Sequence, residues 1–232
     1  MTDGDREALA ALEANPIKIP KGKELIEPGE DGTKPFVLLS GFVIVSRSSS
    51  AGERLIIDLM IPGDLGNLRS IVLEQTDMFF DSASDVTISR FHPKTYYELL
   101  TKQPRLGTAL FFANAVDRSL MAERLYSIGR RSGYQRLGHF LLDLLARMRR
   151  AGVADENSFR APLTLAILGD LLGMTLEHVS RLTQRLRRAG FLRTERDLYE
   201  FPDLEGLAKA ADFDPFYLHL KENPEAKQKA LR

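Results

Sequence analysis

The sequence predicts an α+β protein with an N-terminal β-roll, one long helix and a C-terminal winged helix-turn-helix. Short apolar runs separated by turn residues fill residues 17–91, which is typical of a β-roll or a barrel-like sandwich. A helical repeat then follows Pro104 and continues for about 25 residues, or roughly 37 Å. Residues 164–190 contain two short helical patterns joined at a glycine, and two strand-like runs follow them.

Composition is that of a soluble globular protein with room for two modest domains. Of 232 residues, 44% are hydrophobic and 28% are charged. The start of the chain is acidic and polar, unlike a signal peptide, and no stretch approaches the roughly 20 apolar residues of a membrane span. We therefore expect a cytoplasmic protein without a membrane segment. The chain has no cysteine, which excludes disulfides, thiolate zinc sites and cysteine-held iron–sulfur clusters.

The first predicted domain, residues 1–104, contains the β-roll and short flanking helices. Residues 5–14 have an alanine-rich helical pattern that ends at Asn15-Pro16, and a second short helix begins at Pro93. Four glycines are expected at turns or close backbone contacts: Gly29, Gly41, Gly63 and Gly66.

The long helix, residues 105–131, is predicted to mediate dimerisation. Its apolar residues recur every three or four positions at Leu106, Leu110, Ala113, Val116 and Leu120, and Met121, Leu125 and Ile128 continue the pattern to Gly129. A helix of this length is too long for a small domain to cover alone, and the small side chains of Ala109, Ala113 and Ala115 would admit a partner helix. The spacing fits equally well a helix that packs only within its own chain.

The winged helix-turn-helix is predicted over residues 132–207. Ser132 and Gln135 have the spacing of a capping box, which begins a new helix and marks a hinge. Thr164 can cap the first helix of the pair, and Gly173 can end it in a left-handed conformation. Thr175 begins the second helix. Its expected inner stripe is Leu176, Val179, Leu182 and Leu186.

The opposite side of this second helix and the hairpin after it are strongly basic. Residues 181–196 contain six arginines and one acidic residue, although the formal net charge of the whole chain is zero. A solvated helix face with a surface ion pair is the simpler interpretation of Glu177 and Arg181 alone, but the helix-turn-helix spacing favours a DNA-recognition helix. Asp203 can cap a further short helix, DLEGLAKAA. Residues 208–232 are assigned to a C-terminal tail, and its segment DFDPFYLHLKENPEAKQKALR is expected to be partly mobile.

A glycine-punctuated β-roll, a long helix, a hinge and the segment TLAILGDLLGMTLEHVSRLTQRLRRAGFL resemble the Crp/Fnr family of bacterial transcription regulators. The E-x-x-S-R pattern at Glu177, Ser180 and Arg181 is similar to that of the Fnr and FixK branch. The resemblance spans about residues 17 to 201. It implies a cyclic-nucleotide-binding-like β-roll, a homodimer, double-stranded DNA with TTGAT-like inverted half-sites, and RNA polymerase as a partner.

The chemistry of these side chains agrees with the implied function. Arg181 can donate two hydrogen bonds to guanine, Glu177 can accept from cytosine, and Ser180 is short enough to lie beside a base or a thymine methyl group. A second set is expected at the DNA backbone, where contacts fix register without reading sequence: Thr175, Gln184, Arg185, Arg188, Arg193 and Thr194.

The β-roll departs from the pattern of cyclic-nucleotide-binding relatives. Those relatives carry G-E-L, which contacts the ribose, and a later R-S or R-T pair, which binds the cyclic phosphate. This chain has Gly66-Asn67-Leu68, and residues 76–85 contain aspartates but no arginine. Since a buried phosphate without a cation is unfavourable, we expect no response to cyclic AMP. Asn67 and Arg69 are the only, weak, candidates for an effector pocket, and a surface ion pair is the simpler role for Arg69.

No cofactor and no metal site are predicted. The cysteine-held cluster of oxygen-sensing relatives is excluded, whereas haem is not. The four histidines are scattered without metal-binding spacing. His139 fits a packing role in an apolar helix better than a haem ligand, and His178 is expected to face DNA.

Enzymatic function is not expected, because the sequence has no phosphate-binding glycine loop, no H-E-x-x-H, no G-x-S-x-G and no cysteine nucleophile. The main alternative to a DNA-binding regulator is an effector-binding regulatory module, with haem or another small molecule as effector, that acts through protein partners.

Overall fold

The computed structural model describes residues 2–30, 34–73 and 75–219. It contains a β-roll, a long helix, and a C-terminal unit with further helices and a three-stranded sheet. The predicted α+β fold is therefore confirmed. In the part of the chain that is described, no helix has both the length and the apolar character needed to cross a membrane.

The β-roll consists of two antiparallel four-stranded sheets. Its strands are β1 Pro16–Ile19, β2 Glu24–Ile26, β3 Phe36–Ser40, β4 Val43–Ser48, β5 Arg54–Met60, β6 Leu65–Gly66, β7 Phe79–Ser82 and β8 Val86–Arg90. One sheet has the order β1-β8-β3-β6, and the other has the order β2-β7-β4-β5. Alternating apolar residues point inward from both sheets, as two packed sheets require.

The space between the two sheets is filled by apolar side chains. Phe36 is fully buried and meets Phe80 edge to face, with ring centroids 5.9 Å apart. Gly66 lies directly against this ring, because a Cβ atom at Gly66 would be only 2.2 Å from Phe36 Cζ. Gly66 is thus a close-contact position, as expected from the sequence.

Three short helices flank the roll: α1 Asp3–Leu12, α2 Ser70–Leu73 and α3 Pro93–Lys102. Thr2 and Asp5 form a capping box at the start of α1, and His92 Nδ1 accepts a hydrogen bond from the backbone N–H of Lys94 at the start of α3. Helix α2 was not predicted, because four residues are too few to show a helical period.

The long helix α4, Pro104–Arg130, is buried along one side only. Leu106, Val116 and Leu120 face the protein, whereas Phe111 and Leu125 are 77% and 74% exposed on the other side. Two residues, Arg131 and Ser132, separate α4 from the next helix, α5 Gly133–Arg150. The predicted capping box of Ser132 and Gln135 is confirmed at the start of α5.

The C-terminal unit forms a helix-turn-helix with a wing. Its elements are β9 Ser158–Arg160, α6 Leu165–Leu172, α7 Leu176–Arg188, β10 Arg193–Glu195, β11 Leu198–Glu200, α8 Leu204–Ala211 and a 3-10 helix at Pro215–Leu218. The small antiparallel sheet has the order β10-β11-β9. As predicted, Asp203 caps α8, accepting a hydrogen bond from the backbone N–H of Gly206 at 2.8 Å.

The β-roll and the C-terminal unit share a continuous core. Ile56 and Leu59 of β5 belong to the same buried apolar cluster as Leu137 and Leu141 of α5. Helix α6 lies against β5, and Arg54 of β5 donates two hydrogen bonds to Asp170 Oδ2, at 2.9 and 2.7 Å. The helix-turn-helix is therefore docked on the roll of its own chain.

The start of the predicted C-terminal tail is packed. Residues 208–211 belong to α8, as the predicted helix DLEGLAKAA requires, whereas Leu218, in the segment expected to be partly mobile, is 1% exposed. The sequence DFDPFYL contains three aromatic residues and a leucine, and burial of such side chains can outweigh the polar residues around them. The remainder of the predicted tail, residues 220–232, lies outside the described residues.

Candidate nucleic-acid interface

Helices α6 and α7 are delimited by the local signals seen in the sequence. The Thr164 hydroxyl accepts from the backbone N–H of Ile167, and Gly173 ends α6 with a φ of +62°. The Thr175 hydroxyl accepts from the backbone N–H of His178 at 3.3 Å. Gly169 allows the turn to be tight, because a Cβ atom there would be 2.8 Å from the carbonyl oxygen of Met174.

The buried stripe of α7 is centred on Val179. Val179 and Leu186 are fully buried, and Thr183 is 8% exposed. The prediction that Leu176 belongs to this stripe is wrong, because Leu176 is 49% exposed. At about 100° per residue, Leu176 lies at the edge of the stripe and in the first turn of the helix, where α6 does not cover it.

The outer face of α7, opposite Val179, comprises Glu177, Arg181, Gln184 and Arg188. All four residues are exposed. Within the described part of the chain, none of their side chains forms a hydrogen bond or an ion pair. The sequence placed all four among the candidate DNA contacts, and the fold brings them onto one surface strip.

One flank of α7 faces the start of α5. The guanidinium of Arg185 lies over the Tyr134 ring, 4.3 Å from the centroid. His178 lies on the same flank, with Nε2 only 2.7 Å from where a Cβ atom on Gly133 would be. The expectation that His178 faces DNA is therefore wrong, since its position on the helix turns the ring toward α5.

The other flank of α7 faces the wing. Arg187 donates a hydrogen bond to the Thr194 hydroxyl on β10, so Thr194 is half-buried and tied to α7. Ser180 lies on this flank and is also half-buried, whereas Arg193 is exposed at the start of the wing. Sequence reasoning did not single out Arg187, because its partner is recognisable only once the wing folds back beside α7.

The wing itself is held to the first strand of the unit. Arg160 on β9 donates to Asp197 at 2.9 Å, next to Arg196, whose φ is +54°. The Tyr199 hydroxyl donates to the carbonyl oxygen of Leu163 at 2.6 Å, and this bond is buried. Together these contacts position Arg193 and Thr194 beside the end of α7.

The two candidate effector residues of the roll do not converge. Asn67 is 8% exposed, adopts a φ of +54° and accepts hydrogen bonds at its carbonyl oxygen from the Ser70 N–H and hydroxyl groups. Arg69 is exposed and forms an ion pair with Asp77, 3.2 Å away, which also attracts Arg47. The only cation near Asn67 in sequence is thus paired with a carboxylate.

His139 lies in the hydrophobic interior rather than at an open site. It is 4% exposed, and Nε2 is 3.2 Å from Glu123 Oε1. Burial, with the nearby Arg131 charge, lowers the pKa of His139 to about 4, so the ring is neutral at pH 7. Among residues 2–30, 34–73 and 75–219, no group of three or more histidine or acidic side chains is arranged to hold a metal ion.

The region that contains this interface is similar to a known domain family. Residues 135–210 match the family model of the Crp-like helix-turn-helix domain. The chain is 27% identical over 193 residues to a probable transcriptional activator of Rhizobium leguminosarum bv. viciae, covering 83% of this chain and 79% of that protein. It is 24% identical over 184 residues to the nitrogen fixation regulation protein FixK of Azorhizobium caulinodans, covering 79% and 73%.

The fold is also that of a solved relative. The structure of FixK2 from Bradyrhizobium japonicum superposes with a TM-score of 0.75 at 20% identity, covering 84% of this chain and 96% of that one. The two sequence relatives are named as a transcriptional activator and a nitrogen fixation regulation protein. Together, the comparisons show a Crp-like helix-turn-helix domain over residues 135–210 and a fold shared with FixK2.

The Thr175 cap provides a test of how α7 is held. Thr175→Ala removes the hydroxyl that accepts the His178 N–H, and we expect the free energy of unfolding to fall by about 1 kcal/mol. Thr175→Ser, which keeps the hydroxyl, should remain close to the wild type. Urea denaturation followed by circular dichroism measures both, and equal midpoints for the two variants would contradict the assignment.

Proposed function

We propose that this chain is a DNA-binding transcription regulator of the Crp/Fnr type, in the Fnr/FixK branch, and that it binds as a homodimer to a palindrome with TTGAT-like half-sites. The observation that carries the proposal is the outer face of α7, whose four polar side chains are exposed and unengaged among the described residues. A helix of 13 residues with a packed inner stripe and a free polar strip is suited to the major groove.

Base recognition is assigned to Glu177, Ser180 and Arg181. An arginine that donates two hydrogen bonds to guanine O6 and N7 contributes about 1–3 kcal/mol of discrimination. Arg181 suits this role because no carboxylate within the described residues holds its guanidinium. Glu177, one turn before it, can accept from a cytosine amino group, and Ser180 can approach a base at the wing-side flank.

Backbone contacts are assigned to the residues around this strip. Gln184, Arg188 and Arg193 are exposed, whereas Arg185 is supported by Tyr134 and Thr194 by Arg187. The Thr175 hydroxyl accepts the capping hydrogen bond but can still donate one to a phosphate oxygen. These groups neutralise or bind phosphates without reading bases, and they would make affinity depend steeply on salt.

The exposed side of α4 supports the homodimer. Met121, Leu125 and Ile128 follow one another at four and three residues, as in a coiled-coil seam, and they are 51%, 74% and 41% exposed. Phe111, ten residues before Met121, is 77% exposed on the same helix. Beside them, Ala115, Ala122 and Gly129 are spaced by seven residues and exposed. Such small residues let two helices approach closely. Ala115 was expected in this role, and RNA polymerase is the expected partner of the DNA-bound dimer.

The roll is proposed not to bind cyclic AMP. Phe36 and Phe80 occupy the space between the sheets, and Arg69 already has a carboxylate partner in Asp77. We propose that regulation does not use this nucleotide. The alternative, an effector-binding module that acts through protein partners, predicts no preference among DNA sequences and is separated from the main proposal by the DNA experiment below.

Cyclic AMP binding is tested by isothermal titration calorimetry. We expect no heat of binding at nucleotide concentrations up to about 1 mM. This range covers dissociation constants down from about 1 mM, that is, binding free energies of about −4 kcal/mol or more favourable. A micromolar dissociation constant would contradict the proposal.

Dimerisation is tested by Leu125→Glu. Placing a charge at a residue that is 74% exposed in the monomer should leave folding intact but disrupt the seam, because the carboxylate would be buried against the partner helix. Leu73→Glu on α2, at a leucine that is 57% exposed, is the matched control. Light scattering after size exclusion should give the 26.1 kDa monomer for Leu125→Glu and about twice that mass for the control and wild type. A dimeric Leu125→Glu variant would contradict the seam.

DNA recognition is tested by comparing Arg181→Ala with Arg188→Ala. Selection from a random DNA pool should first yield a palindrome with half-sites about one helical turn apart, roughly 34 Å. Arg181→Ala should then lose discrimination at the guanine, by about 1–3 kcal/mol, whereas Arg188→Ala should weaken all sequences equally. Fluorescence anisotropy on matched and substituted duplexes measures both. Indifference of the wild type to sequence would refute the proposed function.

A further inference from the structure

The segment Asp212–His219, here called the strap, connects the end of α8 to the dimerisation helix. Helix α8 ends at Ala211, and the next residue, Asp212, has a left-handed φ of +53° that turns the chain back across α5. Asp214 then accepts a hydrogen bond from the backbone N–H of Phe216, which caps the 3-10 helix at Pro215–Leu218. The strap therefore has its own capping residues: Asp212 ends α8, and Asp214 begins the 3-10 helix.

The strap contacts α4 through an apolar side chain. Leu218 is 1% exposed and lies in a small core with Val116 and Leu120 of α4, which are 9% and 7% exposed. This core is separate from the main one. Within the described residues, the strap therefore packs against the middle of α4, at Val116 and Leu120.

The strap also contacts α5 through Tyr217. Its hydroxyl donates to Asp143 Oδ1 at 2.7 Å, and its ring stacks on His139, with centroids 5.7 Å apart and planes inclined by 17°. Phe213 meets both rings edge-on, with its centroid 5.0 Å from that of His139 and 6.4 Å from that of Tyr217. Asp143 is 5% exposed, and its hydrogen bond to the half-buried Tyr217 is partly shielded from water.

A second tie joins the same elements at the hinge between α4 and α5. Arg131 lies 2.6 Å from Glu123 of α4 and donates to the carbonyl oxygen of Asp212 at 3.3 Å. Arg136 of α5 donates to the carbonyl oxygens of Ile128 in α4 and Leu172 in α6, at 2.8 and 2.7 Å. These carbonyls lie at the ends of their helices, where a cation is favourable.

We propose that the strap, through Tyr217 and Leu218, fixes the angle between α4 and the helix-turn-helix and thereby sets the half-site spacing that the dimer accepts. Since α4 would be shared with the partner and α7 contacts DNA, a change of angle at the hinge moves the two α7 helices relative to each other. Tyr217 and Leu218 are positioning residues in this scheme, because neither lies on the outer face of α7. The inference rests on the proposed function as a DNA-binding dimer.

The first measurement needs no DNA. The chain has no cysteine, so Glu200→Cys on the exposed wing strand gives one spin label per protomer. Pulsed electron resonance on the dimer should show a narrow distance distribution for the wild-type background and a broadened one for Tyr217→Ala. Phe216→Ala, in the same segment but at a residue that is 79% exposed, is the matched control and should leave the distribution narrow.

The second measurement uses palindromes whose half-site separation is changed by one base pair. We expect the wild type to prefer one separation by about tenfold or more, and Tyr217→Ala to reduce this preference to about twofold while affinity for a single half-site is retained. Tyr217→Phe keeps the ring stacking but loses the bond to Asp143, and it should give an intermediate preference. Because this variant is nearly isosteric, it keeps the test valid if Tyr217→Ala does not fold.

The outcomes separate the two proposals. If the wild type prefers one separation and the Tyr217 variants keep both that preference and the narrow distance distribution, the role of the strap is refuted and the DNA-binding function stands. A wild type that is monomeric or indifferent to DNA sequence refutes the proposed function, and the role of the strap with it. Broadened distances together with lost spacing preference support the strap.

Discussion

The burial of α5 is the constraint on which the rest of the structure depends. Leu137, Leu141 and Leu144 are fully buried, and they belong to the core that joins the β-roll to the helix-turn-helix. Gly138 lets α8 approach, since a Cβ atom there would be 2.9 Å from the Cβ of Ala211. A helix covered on several sides cannot rotate without disturbing every neighbour, so α5 transmits the position of the roll and of α4 to α7.

Charged groups define how α5 sits on the roll. Arg147 of α5 lies 3.3 Å from Asp64 and 3.6 Å from Asp58, and Asp58 also accepts from Arg124 of α4 at 2.7 Å. Burial alone would lower the pKa of Arg147, but these carboxylates outweigh it and raise the pKa. Removing Arg147 would leave Asp64 without its cationic partner in this network, and a partly buried charge left unpaired is unfavourable. The network therefore specifies one arrangement of roll, α4 and α5.

The three exposed or half-exposed sides of α7 have different structural roles. One flank contacts α5 through His178 and Arg185, and the other contacts the wing through Arg187. Only the strip opposite Val179 is without such partners in the described chain. This division explains why a run of six arginines is not one uniform basic surface, since two of them are held by neighbouring elements before any ligand arrives.

By itself, the sequence determined the features that depend on neighbouring residues. The caps at Thr164, Thr175 and Ser132, the left-handed Gly173 and the helical period of α7 are local, because each needs only residues within about one turn. The tertiary structure alone decided which side chains are engaged: Arg69 with Asp77, Arg185 with Tyr134, and Tyr217 with Asp143. The last two pairs join residues far apart in the chain, and all three depend on how separate elements pack, which local spacing does not encode. For the same reason the sequence predicted a tail where the fold builds a strap.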